Sequence, residues 1–348
     1  MILILLGARY SPDMRAASSN QTEKQIVRWL MLVAVMIVTI VVVGGITRLT
    51  ESGLSITQWK PISGTLPPMS DAAWQLEFAH YRAIDQYGAV HSGMDLRAFK
   101  GIFFWEYGHR LLGRVIGLVA ALGWLWFALR RAIPAGDGWR LLAVPLLVGV
   151  QGLLGWLMVR SGLQPGMTEV APGWLAAHLL TALFTLSYVV WTFLDLRDGA
   201  ARLTRLAAVV GAALAIQLLY GALMAGMRAG HVAADWPLMQ GRLFPAGVDW
   251  AQGQIHAAFR DPYLVHFIHR WWAWLVVALL VIMARRLKAR GARGSAVAIH
   301  SAVGMQILLG IATVMSGVAL WLAALHQLVG ALLVVATVWG AHHLGRKA

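Results

Sequence analysis

Residues 294–345 read GSAVAIHSAVGMQILLGIATVMSGVALWLAALHQLVGALLVVATVWGAHHLG and contain no Lys, Arg, Asp or Glu. A bilayer core takes about 20 apolar helical residues, so the stretch is long enough for two passes, with Ser316-Gly317 as the turn. Working back toward the amino terminus, six more apolar windows have that length. The spans fall near 29–47, 107–129, 141–159, 172–194, 206–227, 263–284, 296–316 and 319–341. An even total puts both ends of the chain on one side of the membrane.

The composition agrees. The 348 residues are 59% hydrophobic and 13% charged, with mean hydropathy +0.66, where a soluble domain carries about 25% charge. The net charge of +14 would suggest nucleic acid in a soluble protein; here it marks topology, and no nucleic acid is expected. Arg9, Arg15, Lys24 and Arg28 precede the first span. Arg130, Arg131 and Arg140 follow the second, Arg197, Arg202 and Arg205 the fourth, and Arg285, Arg286, Lys288, Arg290 and Arg293 the sixth; Arg346 and Lys347 end the chain. With eight spans all of these share one face, which the positive-inside rule makes cytoplasmic, both termini included. Two long loops, 49–105 and 228–262, then face outward. Met1–Gly7 is too short, and lacks the leading charge, to read as a signal peptide. Without cysteine, disulfide and thiolate chemistry are excluded.

The two halves resemble each other. Gly44, Gly53, Trp59 and Gly64 recur as Gly221, Gly230, Trp236 and Gly241 at a constant offset of 177. Gln-x-x-x-Gly occurs in the third and seventh spans, as Gln151/Gly155 and Gln306/Gly310. His-Arg occurs in the second and sixth, as His109-Arg110 and His269-Arg270. Trp-Leu-Ala-Ala followed by histidine (His178, His326) occurs in the fourth and eighth. The expected fold is an all-α integral membrane protein with eight transmembrane helices. They form two pseudo-symmetric four-helix bundles, residues 1–200 and 201–348, related by an axis along the membrane normal.

Of twelve histidines, His80, His91, His231 and His256 lie in the outer loops, and His300, His342 and His343 lie near the cytoplasmic ends. These read as structural or solvated. His109, His178, His269 and His326 differ: each sits roughly 3–10 Å inside the outer boundary of an even-numbered span, two per repeat. Separate polar helix ends would not explain the shared depth. Two imidazoles facing across a bundle can ligate a haem iron axially, whereas zinc wants three or four protein ligands. Arg110 and Arg270 suit haem propionates. Gly113 and Gly117, on the face of His109, would let a flat macrocycle approach, or simply pack helices.

One carboxylate lies near this layer. Glu106 is one turn before His109 on the same face; the repeat-equivalent residue is His266. One site would have an acid/base group and the other would not. Pairing with Arg110 at i+4 is a compatible, plainer role.

The segments GGITRLTESGLSITQWKPISGTLPP (44–68) and FKGIFFWEYGHRLLGR (99–114) resemble haem A synthase, in its mitochondrial and alphaproteobacterial branch. The resemblance implies oxidation of a haem O ring methyl to the formyl group of haem A, which serves terminal haem–copper oxidases. It implies that His109 and His178 hold substrate or product haem, that His269 and His326 hold haem b, and that Glu106 is the essential glutamate. Some bacterial members carry a cysteine pair in the first outer loop; this chain has none, so no mechanism requiring those thiols applies. Further expectations are an inner-membrane location, haem O delivered by haem O synthase and an electron acceptor the sequence does not name. Whether the chain is a homo-oligomer stays open. The competing class is a dihaem b-type electron carrier linked to quinone, which the histidine layer alone does not exclude. A repeat-symmetric transporter predicts midplane charges, and the spans contain none. Residues 58–69, QWKPISGTLPPM, read as an ordered loop in which Trp59 and Lys60 cap a site.

Overall fold

The computed structural model describes residues 12–346, with side chains from residue 21. Met1–Gly7, Arg9 and Lys347 lie outside the described residues, as does the Arg15 side chain. The described residues form eleven α-helices and no strand: α1 Pro12–Leu49, α2 Asp71–Arg82, α3 Asp85–Val90, α4 Leu96–Leu129, α5 Gly138–Gly162, α6 Pro172–Asp198, α7 Arg205–Gly226, α8 Gln254–Arg260, α9 Pro262–Ala289, α10 Arg293–Met315 and α11 Leu320–Gly345. Eight of them, α1, α4–α7 and α9–α11, are long and apolar enough to cross a membrane. The charge-free stretch does turn at Ser316-Gly317, where Gly317 and Val318 take φ of +66°.

Local chemistry sets the helix ends. Asp95, Thr204 and Asp261 accept from the backbone N–H groups of Ala98, Ala207 and Leu264, capping α4, α7 and α9. Pro172 and Pro262 begin α6 and α9, where the missing N–H costs nothing. One boundary differs from expectation. The segment before His109 is not the mouth of a helix, because α4 starts at Leu96, eleven residues ahead of the apolar window. Its first turns pack Phe99 and Phe103 against Trp74, Phe78 and Tyr81 of α2. Arg97 and Lys100 keep that amphipathic extension out of a hydropathy window.

Helices α1, α4, α5 and α6 pack as one group, and α7, α9, α10 and α11 as another, compatible with two four-helix bundles. The groups meet through α1 and α6 against α7 and α11. Gly45 of α1 admits Gln327 of α11, whose Nε2 donates to Val41 O at 2.8 Å. Correspondingly, Gly226 of α7 sits under Pro172 of α6. Large buried residues such as Leu186, Leu280, Met283, Leu287 and Ile299 fill the half of the helices nearer the basic loops. The half nearer the two long loops holds the half-buried His109, His178, His269 and His326 and the glutamines Gln151, Gln217 and Gln306.

Candidate functional site

Each of the four histidines leans on a glycine of a neighbouring helix. A Cβ at Gly44 would sit 3.1 Å from His109 Nε2, at Gly155 2.9 Å from His178 Cε1, at Gly221 3.0 Å from His269 Cε1, and at Gly310 3.1 Å from His326 Cε1. Only a residue without a side chain leaves the rings that space. The partners are α1 with α4, α5 with α6, α7 with α9 and α10 with α11, so the arrangement is the same in both halves. His109 lies near His178, and His269 near His326. Glutamines accompany three of the four. Gln151 reaches the ring of His178, Gln217 that of His269 and Gln306 that of His326.

Glu106 is 2% exposed and surrounded by donors. Its Oε2 accepts from Ser55 Oγ at 2.8 Å and from the Ile56 N–H at 2.7 Å, and its Oε1 accepts from Arg110 Nη2 at 2.5 Å. The carboxylate therefore serves as an acceptor throughout, the form a general base needs. In the other half His266 stands in its place, wholly buried, and its Nε2 accepts from Arg270 Nε at 2.8 Å. That neutral ring is no counterpart to a carboxylate.

The two arginines have a role that their position after a histidine did not reveal. Arg110 donates to the carbonyls of Ile56 (2.7 Å) and Gln58 (3.3 Å). Arg270 donates to Ala233 (3.2 Å), Asp235 (2.9 Å) and Leu238 (2.9 Å). Ala233 and Asp235 are related to Ile56 and Gln58 by the same offset of 177, so each guanidinium clasps its own long loop at matching carbonyls. Arg114 adds bonds to Lys60 O (2.9 Å) and Pro61 O (3.0 Å), and Tyr107 Oη donates to Thr65 O at 2.7 Å. The 58–69 loop is ordered, as its Pro and Gly content suggests. Lys60 pairs with Glu77 at 2.7 Å, and Trp59 lies 6.2 Å from Trp156. A cavity of about 190 Å³ opens between this loop and α4, lined by Lys60, Tyr107, Arg110 and Arg114; a second, of about 120 Å³, lies between Trp59, Trp156 and Arg160.

Do these residues fit a haem? Among the described residues no group of three or more His, Cys, Asp or Glu could hold a bare metal ion. A donor set of two imidazoles per half suits an iron whose other four ligands come from a macrocycle. The glycine cradles permit close approach, and the buried Oε1 atoms of Gln151, Gln217 and Gln306 have no donor, as expected of groups serving a liganded ring. The residues fit.

Of the other histidines, His80 contacts Gln58, His91 contacts Tyr81, His300 bonds Ala296 O and His343 contacts Ser295, while His231 and His256 are exposed. His342, far from solvated, is fully buried against Asp195, which Arg140 also engages. Ser55 went unmarked in the sequence, since nothing in a loop serine announces a buried acceptor fifty residues on. Gln217 was legible, because Gln217/Gly221 repeats the Gln-x-x-x-Gly spacing.

Fold and site together define a multi-pass helical membrane protein with two half-buried histidines leaning on glycines in each half and, among the described residues, a buried carboxylate beside one of the pairs. Residues 27–338 match the family described as "Cytochrome oxidase assembly protein". The chain is 52% identical to the "Heme A synthase" of Novosphingobium aromaticivorans over 356 residues, covering 98% of this chain and 100% of that one. It is 52% identical to that of Sphingopyxis alaskensis over 328 residues, 92% of each. It is 41% identical to that of Paracoccus denitrificans over 354 residues, 98% of this chain and 93% of that one. The chain belongs to the cytochrome oxidase assembly protein family.

Proposed function

We infer that the chain is a haem A synthase, an enzyme that oxidises haem O to haem A. Near full-length identity to proteins of that name supports this reading. The observation that carries the mechanism is the asymmetry at Glu106. In the first half, residues 1–200, His109 and His178 hold substrate or product. In the second, residues 201–348, His269 and His326 hold haem b, which when bound supplies a redox centre that relays electrons.

Glu106 stands one turn from His109 at the reacting end. It takes a proton from the water whose oxygen becomes the formyl oxygen of the substrate's ring methyl, or serves as the transient nucleophile at that carbon. Ser55, the Ile56 N–H and Arg110 hold the carboxylate in place, and Arg110 and Arg270 fix the loops over the two sites while offering charge to propionates. The change from methyl to formyl gives up four electrons and four protons in two successive oxidations, and the electrons leave to an acceptor outside the chain. The basic loops face the cytoplasm with both termini, the long loops face outward, and the membrane is the cell's inner membrane, where haem O synthase would supply substrate.

A dihaem b-type relay needs no carboxylate in one half alone. Extraction and chromatography of the pigment from purified protein test the choice. Haem O and haem A alongside haem b support the synthase; haem b alone, with no conversion of added haem O, overturns it.

A further inference from the structure

Three glutamines repeat one arrangement, and the remaining helix pair breaks it. Gln151, Gln217 and Gln306 each stand four residues before the glycine against which a histidine leans, on the same helix face. Gln151 Nε2 is 2.9 Å from His178 Nδ1 and donates to that residue's backbone oxygen at 2.8 Å. Gln217 does the same to His269, at 3.1 and 3.0 Å. Gln306 Nε2 is 3.3 Å from His326 Nε2. All three Oε1 atoms are buried without a donor, and His326 Nδ1 is buried without a partner.

Four residues before Gly44, the corresponding place is Ile40. Its Cδ1 lies 3.6 Å from where a Cβ at Gly113 would be, one turn beyond His109. Gln306 Nε2 lies 3.3 Å from the equivalent point at Gly330, one turn beyond His326. An aliphatic side chain thus fills the carboxamide's station, and among the described residues no hydrogen bond reaches the His109 ring.

A buried acceptor without a donor is costly, and here it recurs at three equivalent stations. An imidazole bound to iron through Nε2 carries its proton on Nδ1, and the acceptor of that proton sets ring orientation and ligand basicity. Turning each carboxamide about its terminal bond brings Oε1 toward Nδ1; this exchanges the Gln151 and Gln217 bonds to the histidines' backbone oxygens for ring bonds, and at His326, where Gln306 faces Nε2, the ring turns as well. Resting on the haem reading above, we propose that Gln151, Gln217 and Gln306 are positioning residues that accept the Nδ1–H of His178, His269 and His326, and that His109, facing Ile40, is the ligand that lets go. Both histidines of the second half are held, so its haem stays. The first half is held from one side only, so its haem exchanges, as a substrate must.

The test uses the full chain purified with its own pigment. Gln217→Glu supplies a stronger acceptor and is expected to keep haem b and lower its midpoint potential. Gln217→Leu supplies none and is expected to raise the potential and weaken haem affinity by about 10–100-fold. Opposite shifts support the role; unchanged potentials, or shifts of one sign, overturn it. Ile40→Gln is expected to lengthen retention of haem O or haem A about tenfold, with haem b content unchanged. Retention equal to or below that of the native chain overturns the assignment to His109. A native chain that binds no haem at all overturns the underlying reading instead, so the two failures are distinguishable.

Discussion

At the scale of single residues, Glu106 and Ser55 make separable predictions. Glu106→Gln keeps the shape and loses the acceptor that Arg110 and the Ile56 N–H both address, so pigment is expected to stay bound while conversion of haem O stops. Pigment chromatography of the variant checks both. Ser55→Ala removes one donor from Oε2 and leaves the others. The carboxylate keeps its charge but loses one constraint on its direction. Turnover is expected to fall about tenfold, equivalent to about 1.4 kcal/mol in the barrier, with pigment content and KM for haem O unchanged. A KM that rises in parallel, or a loss of pigment, would assign Ser55 to packing of the loop instead.

At the scale of elements, the long loops are ordered because the helices beneath them donate to their carbonyls. Arg114 has no counterpart in the other half, where Trp274 stands, so the loop from Lys60 to Thr65 depends on a clamp the second loop lacks. Arg114→Ala is expected to speed hydrogen exchange at the Gly64 and Thr65 amides, which bond within this loop, several-fold without changing pigment content. The second loop has its own device. Asp235 accepts from the N–H groups of Gly241 and Gln240, and these bonds hold its carboxyl below the ordinary aspartate range. A depressed value means the stabilisation is complete above the unfolded value of about 3.9 and is lost as pH falls through the folded one. Hydrogen exchange at Gln240 and Gly241, corrected for its intrinsic pH dependence, is expected to lose protection only in that acid window.

The same elements show what a sequence carries. Hydropathy marks every span because lipid demands it of each residue in turn. It misses the first eleven residues of α4 because Arg97 and Lys100 interrupt the apolar run there, while Phe99 and Phe103 find a partner in α2 that no window contains. The histidine layer is legible from depth and repetition. The glycines beneath it and the serine beside Glu106 are contacts between elements, and spacing along one helix does not encode them. Arg110 and Arg270 stand out by their charge, but the carbonyls they clasp lie on another element, 52 and 54 residues upstream of Arg110 and 32 to 37 upstream of Arg270.

At the scale of the whole molecule, the contact between halves carries a signature of its own. Residues related by a two-fold axis touch each other only where they lie near it. Glu51 and Arg228 are related by the offset of 177, both take left-handed backbone with φ of 54° and 52°, and they pair with each other at 2.7 Å. Arg48 and Glu169 complete a closed ring: Arg48 bonds Glu51 at 3.0 Å and Glu169 at 2.8 Å, and Arg228 also engages Glu169. The ring joins α1, the α5–α6 loop and the end of α7, so it ties the halves on the face that carries the long loops. Glycine is the substitution that removes the charge without adding strain at a left-handed position. Partly exposed pairs contribute about 0.2–1 kcal/mol each, and Arg228→Gly breaks two of them. The loss should be on the order of 1 kcal/mol, a fall of roughly 2–4 °C in thermal midpoint. Glu51→Gly should cost a similar amount, and the double variant less than the sum, because the two share one contact. High salt should lower the native midpoint toward that of the variants, since screening acts on the same charges. Strict additivity, or a salt-insensitive native midpoint, would show that the halves are held by Gly45, Gly226 and their apolar surroundings alone.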